Sequence, residues 1–231
     1  MARRQADSTD RATFLHTDVL AAVTLAVLAL LVVRGHYMPW LARGYLIWNL
    51  FLAWIPYVCA RAIWRAGRGS TPLPLLLPLL AIWLVFLPNA PYLVTDVVHF
   101  HWHATGLLLV LETALFATVG LAGLLLGVAA VQPIHRIVAV RYGALAARTF
   151  PPVIAVAVAF GVYLGRVQRW NSWSFVESPG TLFQRTWDVL GHPMAHPRAF
   201  GGIALFSFAF LVVYSVLTTE RVALGRPQRQ P

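Results

Sequence analysis

The chain has 231 residues, is 59% hydrophobic and only 11% charged, with a mean hydropathy of +0.69 and a formal net charge of +10. A soluble domain carries roughly a quarter charged residues, so this composition excludes that class and points to an integral membrane protein. All 18 basic residues are arginine, no nucleic-acid-binding motif accompanies them, and the single cysteine, Cys59, excludes an intrachain disulfide or a Cys-pair metal site.

Apolar runs predict six spans near 17–34, 44–64, 73–93, 106–131, 149–166 and 200–219. Runs such as LAAVTLAVLALLVV do not alternate as barrel strands would, so the expected fold is an all-α, polytopic transmembrane helix bundle. The first run ends in Arg34-Gly35-His36-Tyr37 without a small-x-small cleavage pattern, which predicts a retained span. A single integral domain over 1–231 is expected, with disordered tails at 1–14 and 220–231.

Arginine placement sets the predicted orientation. Twelve arginines fall in the two tails and in the second and fourth loops (Arg61, Arg65, Arg68, Arg136, Arg141 and Arg148 in the loops), and six fall in the others. The positive-inside rule then puts both termini in the cytoplasm. It also puts the polar residues Asn49, Asn89, Asp96, His99, Glu112, Arg166 and Asn171 at similar depth on the outward side.

Residues 87–103 read LPNAPYLVTDVVHFHWH and interrupt the apolar chain. Ionisable groups at a bilayer are costly, so this cluster is the leading candidate for a functional site. Pro88 and Pro91 predict that Leu87 and Ala90 leave the helical region, with Asn89 available to a freed carbonyl. Asp96, His99 and His103 share one helical face, or His99, His101 and His103 one strand face. Asp96, His99 and His103 are thus a candidate ligand set for a divalent metal such as zinc or iron. In a hydrolase or transferase reading, Asp96, His99 and Glu112 would be the catalytic groups. The alternative is an interfacial helix whose histidines face water.

Asn49 falls in the second span and is expected to bond helix to helix. In the fourth span, Gly120, Gly123 and Gly127 favour close helix packing. At the end of the fifth, Arg166 and Arg169, with Trp170 and Asn171, suit an anionic headgroup or phosphate, and Asn49, Asn89 and Tyr92 complete the candidate ligand-binding set. The competing reading is a structural salt bridge from Arg166 to Asp96 or Glu112. Farther on, Ser178, Pro179 and Gly191 bound a short amphipathic helix near 179–190, with Phe183, Trp187 and Leu190 on one face, expected to lie in the membrane interface.

The stretches YLIWNLFLAWIPY (45–57), FLPNAPYLVTDVVH (86–99), GLAGLLLG (120–127) and YLGRVQRWNSWS (163–174) together resemble a family of uncharacterised bacterial inner-membrane proteins known only as a domain of unknown function. The resemblance covers most of residues 40–175. The family pattern ends Asn-Ser-Trp-Asp, and Ser174 replaces that acid here. The resemblance implies an inner-membrane topology and no activity. Three classes stay open: a structural or assembly factor, a small transporter or channel, and a membrane-embedded hydrolase or transferase acting on an anionic lipid or phosphate. The inner halves of spans two to six are nearly all apolar, which weighs against a continuous polar path. The lipid bilayer is the partner expected under all three; nucleic acid is not one.

Overall fold

A computed structural model of the chain describes residues 15–37, 44–67, 72–168 and 179–224, which are helical with no strand among them. In chain order they form α1 (Thr17–Arg34), α2 (Gly44–Gly67), α3 (Leu73–Phe86), the one-turn α4 (Asn89–Tyr92), a 3-10 helix (Leu93–His99), α5 (Gly106–Arg166), α6 (Pro179–Gly191), a 3-10 turn (Pro193–Ala195) and α7 (Pro197–Leu224). Five stretches are long and apolar enough to cross a membrane: Thr17–Arg34, Gly44–Gly67, Pro74–His99, Gly106–Arg166 and Pro197–Thr218. The chain is therefore a multi-pass integral membrane protein with an all-α bundle. The tails before residue 15 and after residue 224 lie outside the described residues.

A straight helix of 61 residues would reach roughly 90 Å, about three times the hydrocarbon thickness. α5 instead turns back at Gly143, whose φ of 81° suits a residue without Cβ. His135 Nε2 lies 2.8 Å from the Ala147 carbonyl and its ring stacks on Phe150 at 5.7 Å. On a straight helix residues 135 and 147 would stand roughly 18 Å apart. The arms 106–142 and 144–166 therefore run antiparallel, which gives six crossings. The expected fourth loop is mostly helix. Residues 134–142 contain no glycine or proline, Ile134 is buried, and His135 Nδ1 meets the Tyr214 hydroxyl at 2.7 Å.

α5 is the centre of the bundle and packs against α1, α2, α4, the 3-10 helix and α7. α1 lies antiparallel to its first arm and is fixed at both ends by polar contacts. The Leu15 amide donates to Gln132 Oε1 at 3.2 Å, and Arg34 Nε donates to Glu112 Oε1. The helix between residues 112 and 132 spans about 30 Å, which matches the hydrocarbon core.

The third crossing departs from expectation in an informative way. The helical hydrogen bonding is interrupted at Leu87 and Pro88, yet Leu87 keeps right-handed helical angles (φ −55°, ψ −41°), Ala90 lies inside α4, and the chain continues helically to His99. The prolines remove N–H donors without driving the backbone extended. The Ala90 amide shifts to the Leu87 carbonyl at 3.3 Å, and Asn89 Nδ2 donates to the Phe86 carbonyl at 3.0 Å. Close packing holds this tightened segment in place. A Cβ on Gly123 would stand 2.4 Å from the Ala90 carbonyl oxygen, one on Gly161 2.3 Å from Pro88 Cγ, and one on Gly127 3.0 Å from Pro91 Cγ. Both arms of α5 therefore present glycine to the proline-rich turn.

Candidate functional site

That packing delivers the start of the 3-10 helix to the end of the second arm of α5. Asp96 is fully buried, and both carboxylate oxygens are engaged. Arg166 Nη2 donates to Oδ1 at 2.6 Å, and Asn49 Nδ2 from α2 donates to Oδ2 at 3.1 Å. Arg166 Nε donates to Thr95 Oγ1 at 2.9 Å, and the Thr95 hydroxyl donates onward to the Tyr92 carbonyl at 2.6 Å. The guanidinium lies 4.2 Å from the Tyr92 ring centroid, a cation–π arrangement. Its Nη1 stands 3.5 Å from His99 Nε2, too long for a strong bond, while the His99 ring meets Tyr45 at 4.7 Å. One cluster thus joins α2, the 3-10 helix and α5.

Glu112 does not join Asp96. It is fully buried against Arg34 at the end of α1, and Arg34 itself is 3% exposed. Arg34 Nη1 and Glu112 Oε2 are buried without hydrogen-bond partners. Val94 lies opposite Gly120 on α5. Helical rise then places the Asp96 pair roughly 8 Å deeper along α5 than Glu112. Tyr45, whose ring meets His99, feels the charges of both pairs. Inside hydrocarbon an unpaired charge is costly, and here each carboxylate has an arginine.

Of the expected site residues, the structure brings together Asn49, Tyr92, Asp96, His99 and Arg166. Asn89 is turned back to its own helix by its bond to Phe86. Arg169, Trp170 and Asn171 lie outside the described residues. The metal set Asp96, His99 and His103 is not assembled. Among the described residues no three His, Cys, Asp or Glu converge on a possible ion. The 3-10 helix ends at His99, Phe100 turns extended (φ −63°, ψ 137°), and His103 is carried away to an exposed position. Asp96 has also committed both oxygens. The catalytic grouping of Asp96, His99 and Glu112 is likewise divided between two ion-pair layers.

Sequence reasoning missed Arg34, Thr95 and Tyr45. Arg34 was findable: an isolated glutamate in an apolar span needs a cation, and Arg34 closes a span on the same side. A second polar group, on α6, was also missed. There the exposed Asp188 carboxylate lies 3.4 Å from both His192 Nδ1 and His196 Nε2. α6 itself forms as expected over Pro179–Gly191, with Trp187 exposed; the side chains of Phe183 and Leu190 and the Ser178 cap lie outside what is described.

A family model described as "Protein of unknown function (DUF1361)" matches residues 48–213, and the chain belongs to this family. No curated protein and no solved structure matches it.

Proposed function

We propose that this chain is a non-catalytic structural or assembly protein of the bacterial inner membrane, with both termini cytoplasmic and the charged cluster facing outward. The observation that carries the reading is the burial and pairing of Asp96. Its carboxylate is fully buried, accepts from Arg166 on one oxygen and Asn49 on the other, and so ties α2, the 3-10 helix and α5 together away from water. Glu112 is held differently: a buried arginine meets one oxygen, and the other is buried without a hydrogen-bond partner. Two layers of ion pairs fasten α1, α2, the third crossing and both arms of α5 at one end. The arginine distribution supports the orientation, and α6 fits a helix lying in the outer interface.

A second reading, binding of an anionic lipid or phosphate at this end, is favoured by one feature. The Arg166 side chain keeps 20% of its surface exposed, beside the exposed ring of His99. The two readings separate on Asp96→Ala and on an Asp96→Asn, Arg166→Gln pair. A lock predicts that Asp96→Ala lowers membrane abundance and melting temperature, and that the neutral pair recovers much of the loss. Wild-type abundance and melting temperature in Asp96→Ala would overturn the lock. Phosphate-dependent stabilisation of the wild type that vanishes in Arg166→Gln would establish the binding reading instead.

A further inference from the structure

The two arms of α5 meet at the end of the bundle opposite the ion pairs. The first arm, 106–142, is about 55 Å long, whereas a bilayer with its headgroups is roughly 40–45 Å thick. The excess falls at the Gly143 end. Between residues 107 and 131 the only charged residue is Glu112, while 132–148 carries Arg136, Arg141 and Arg148. α2 ends at Gly67, opposite Ile137, and so stops short of the turn. A Cβ on Gly143 would meet nothing within 4 Å, so no described element closes over that residue. The turn is pinned from within: His135 meets the Ala147 carbonyl at 2.8 Å and the Tyr214 hydroxyl at 2.7 Å, its ring stacks on Phe150, and the Thr149 hydroxyl donates to the Leu145 carbonyl at 3.1 Å. Held in this way, the tip exposes 82% of Val140, 62% of Tyr142 and 77% of Leu145, with Arg141 and Arg148 exposed beside them.

We infer that this hairpin tip docks into a soluble protein partner, with Val140, Tyr142 and Leu145 entering an apolar recess whose rim carries carboxylates. The inference goes beyond the lock reading and rests on the other end of the molecule, so either can fail without the other. Single exposed apolar residues are ordinary, but three within six positions, on a tip that stands past the headgroups, form a patch facing water. Lipid covers the exposed leucines and valines of the spanning segments and does not reach this far. Tyrosine and arginine are the residue types that interfaces favour, and a turn already fixed by His135 loses little freedom on docking. Charge selects the partner. Asp7, Asp10, Asp18 and Glu220 belong to this end, Glu220 on α7 at about the depth of the tip, but twelve arginines outnumber these four acids. A second copy of the tip would bring like charge against like charge, whereas an acidic rim would meet Arg141 and Arg148 with opposite charge.

The test uses the full-length protein in the membranes of its native cells, with the photo-reactive residue benzoylphenylalanine in place of Tyr142, and mass spectrometry of whatever the light-induced adduct contains. The expected result is one discrete adduct with a soluble protein, joined at a segment whose flanks are net acidic. Adding Val140→Gln and Leu145→Gln should lower its yield at least about tenfold, and adding Arg141→Gln and Arg148→Gln should lower it measurably. Both sets of changes lie at exposed positions, so the purified variants should melt at the wild-type temperature, which separates lost docking from lost folding. The inference is overturned by no adduct, by an adduct with phospholipid, with a second copy or with the terminal segments of the same chain, and by a protein adduct whose yield neither set of changes reduces. An adduct weakened by the apolar changes alone, or joined at a basic segment, overturns the acidic rim.

Discussion

The two ends of this bundle handle arginine in opposite ways. At one end Arg34 and Arg166 are drawn among helices and each meets a buried carboxylate, Glu112 and Asp96. At the other, Arg65, Arg141 and Arg148 are exposed and Arg136 lies over an indole ring. The difference follows from depth. A guanidinium within the slab must bring a counter-charge, because hydrocarbon offers it nothing. The exposed guanidiniums of Arg65, Arg141 and Arg148 are solvated by water and need no buried counter-charge. Charge buried among the helices and charge left at the surface are thereby kept at separate ends.

The contrast is broken most severely by removing one member of a buried pair. Glu112→Ala leaves Arg34 buried and uncompensated, for a loss of about 3–5 kcal/mol measured by unfolding in detergent. Replacing Arg34 and Glu112 together by apolar residues of similar volume should cost much less than either single change. The next effect comes from the packing that delivers Asp96 to Arg166. Gly123→Ala forces a methyl group against the Ala90 carbonyl and should cost about 1–3 kcal/mol, whereas Gly202→Ala, which meets nothing within 4 Å, should not destabilise. Asn49→Ala removes one bond to a carboxylate still paired with Arg166, and a loss of about 0.6–2 kcal/mol in thermal unfolding is expected. At the other end, Arg141→Gln should stay within about 0.5 kcal/mol of wild type in the same assay. A large loss there would mean that this end too is held by charge pairing.

Much of this contrast can be read from residue order. Apolar run length locates the crossings because hydrocarbon thickness is fixed, and α1 falls where 17–34 was expected. The Arg166 to Asp96 pair was foreseeable because topology puts both residues at one end with few alternative partners. What escaped depends on pitch and on long-range packing. The 3-10 helix keeps Asp96 and His99 on one side but ends before His103, and local spacing carries no signal of where such a helix stops. The arginines after residue 131 mark an end of the apolar run and suggest a loop, although arginine does not break a helix. Gly161 stood outside the small-residue pattern, and its contact with Pro88 joins positions far apart in the chain.

The pairing of Arg34 with Glu112 joins residues 78 positions apart, and that separation bears on biogenesis. At a synthesis rate of roughly 5–20 residues per second, Arg34 emerges about 4–16 seconds before its partner exists. During that interval the newborn first helix ends in a cation that hydrocarbon will not accept, so the charge has to wait at the aqueous boundary of the membrane. The contact that fastens the end of the first span to the bundle can close only after the fourth crossing has been threaded. The last adjustment of the first span is therefore scheduled by the translation of a segment far downstream, and a ribosome pause between the two would prolong the period in which α1 stands incompletely seated.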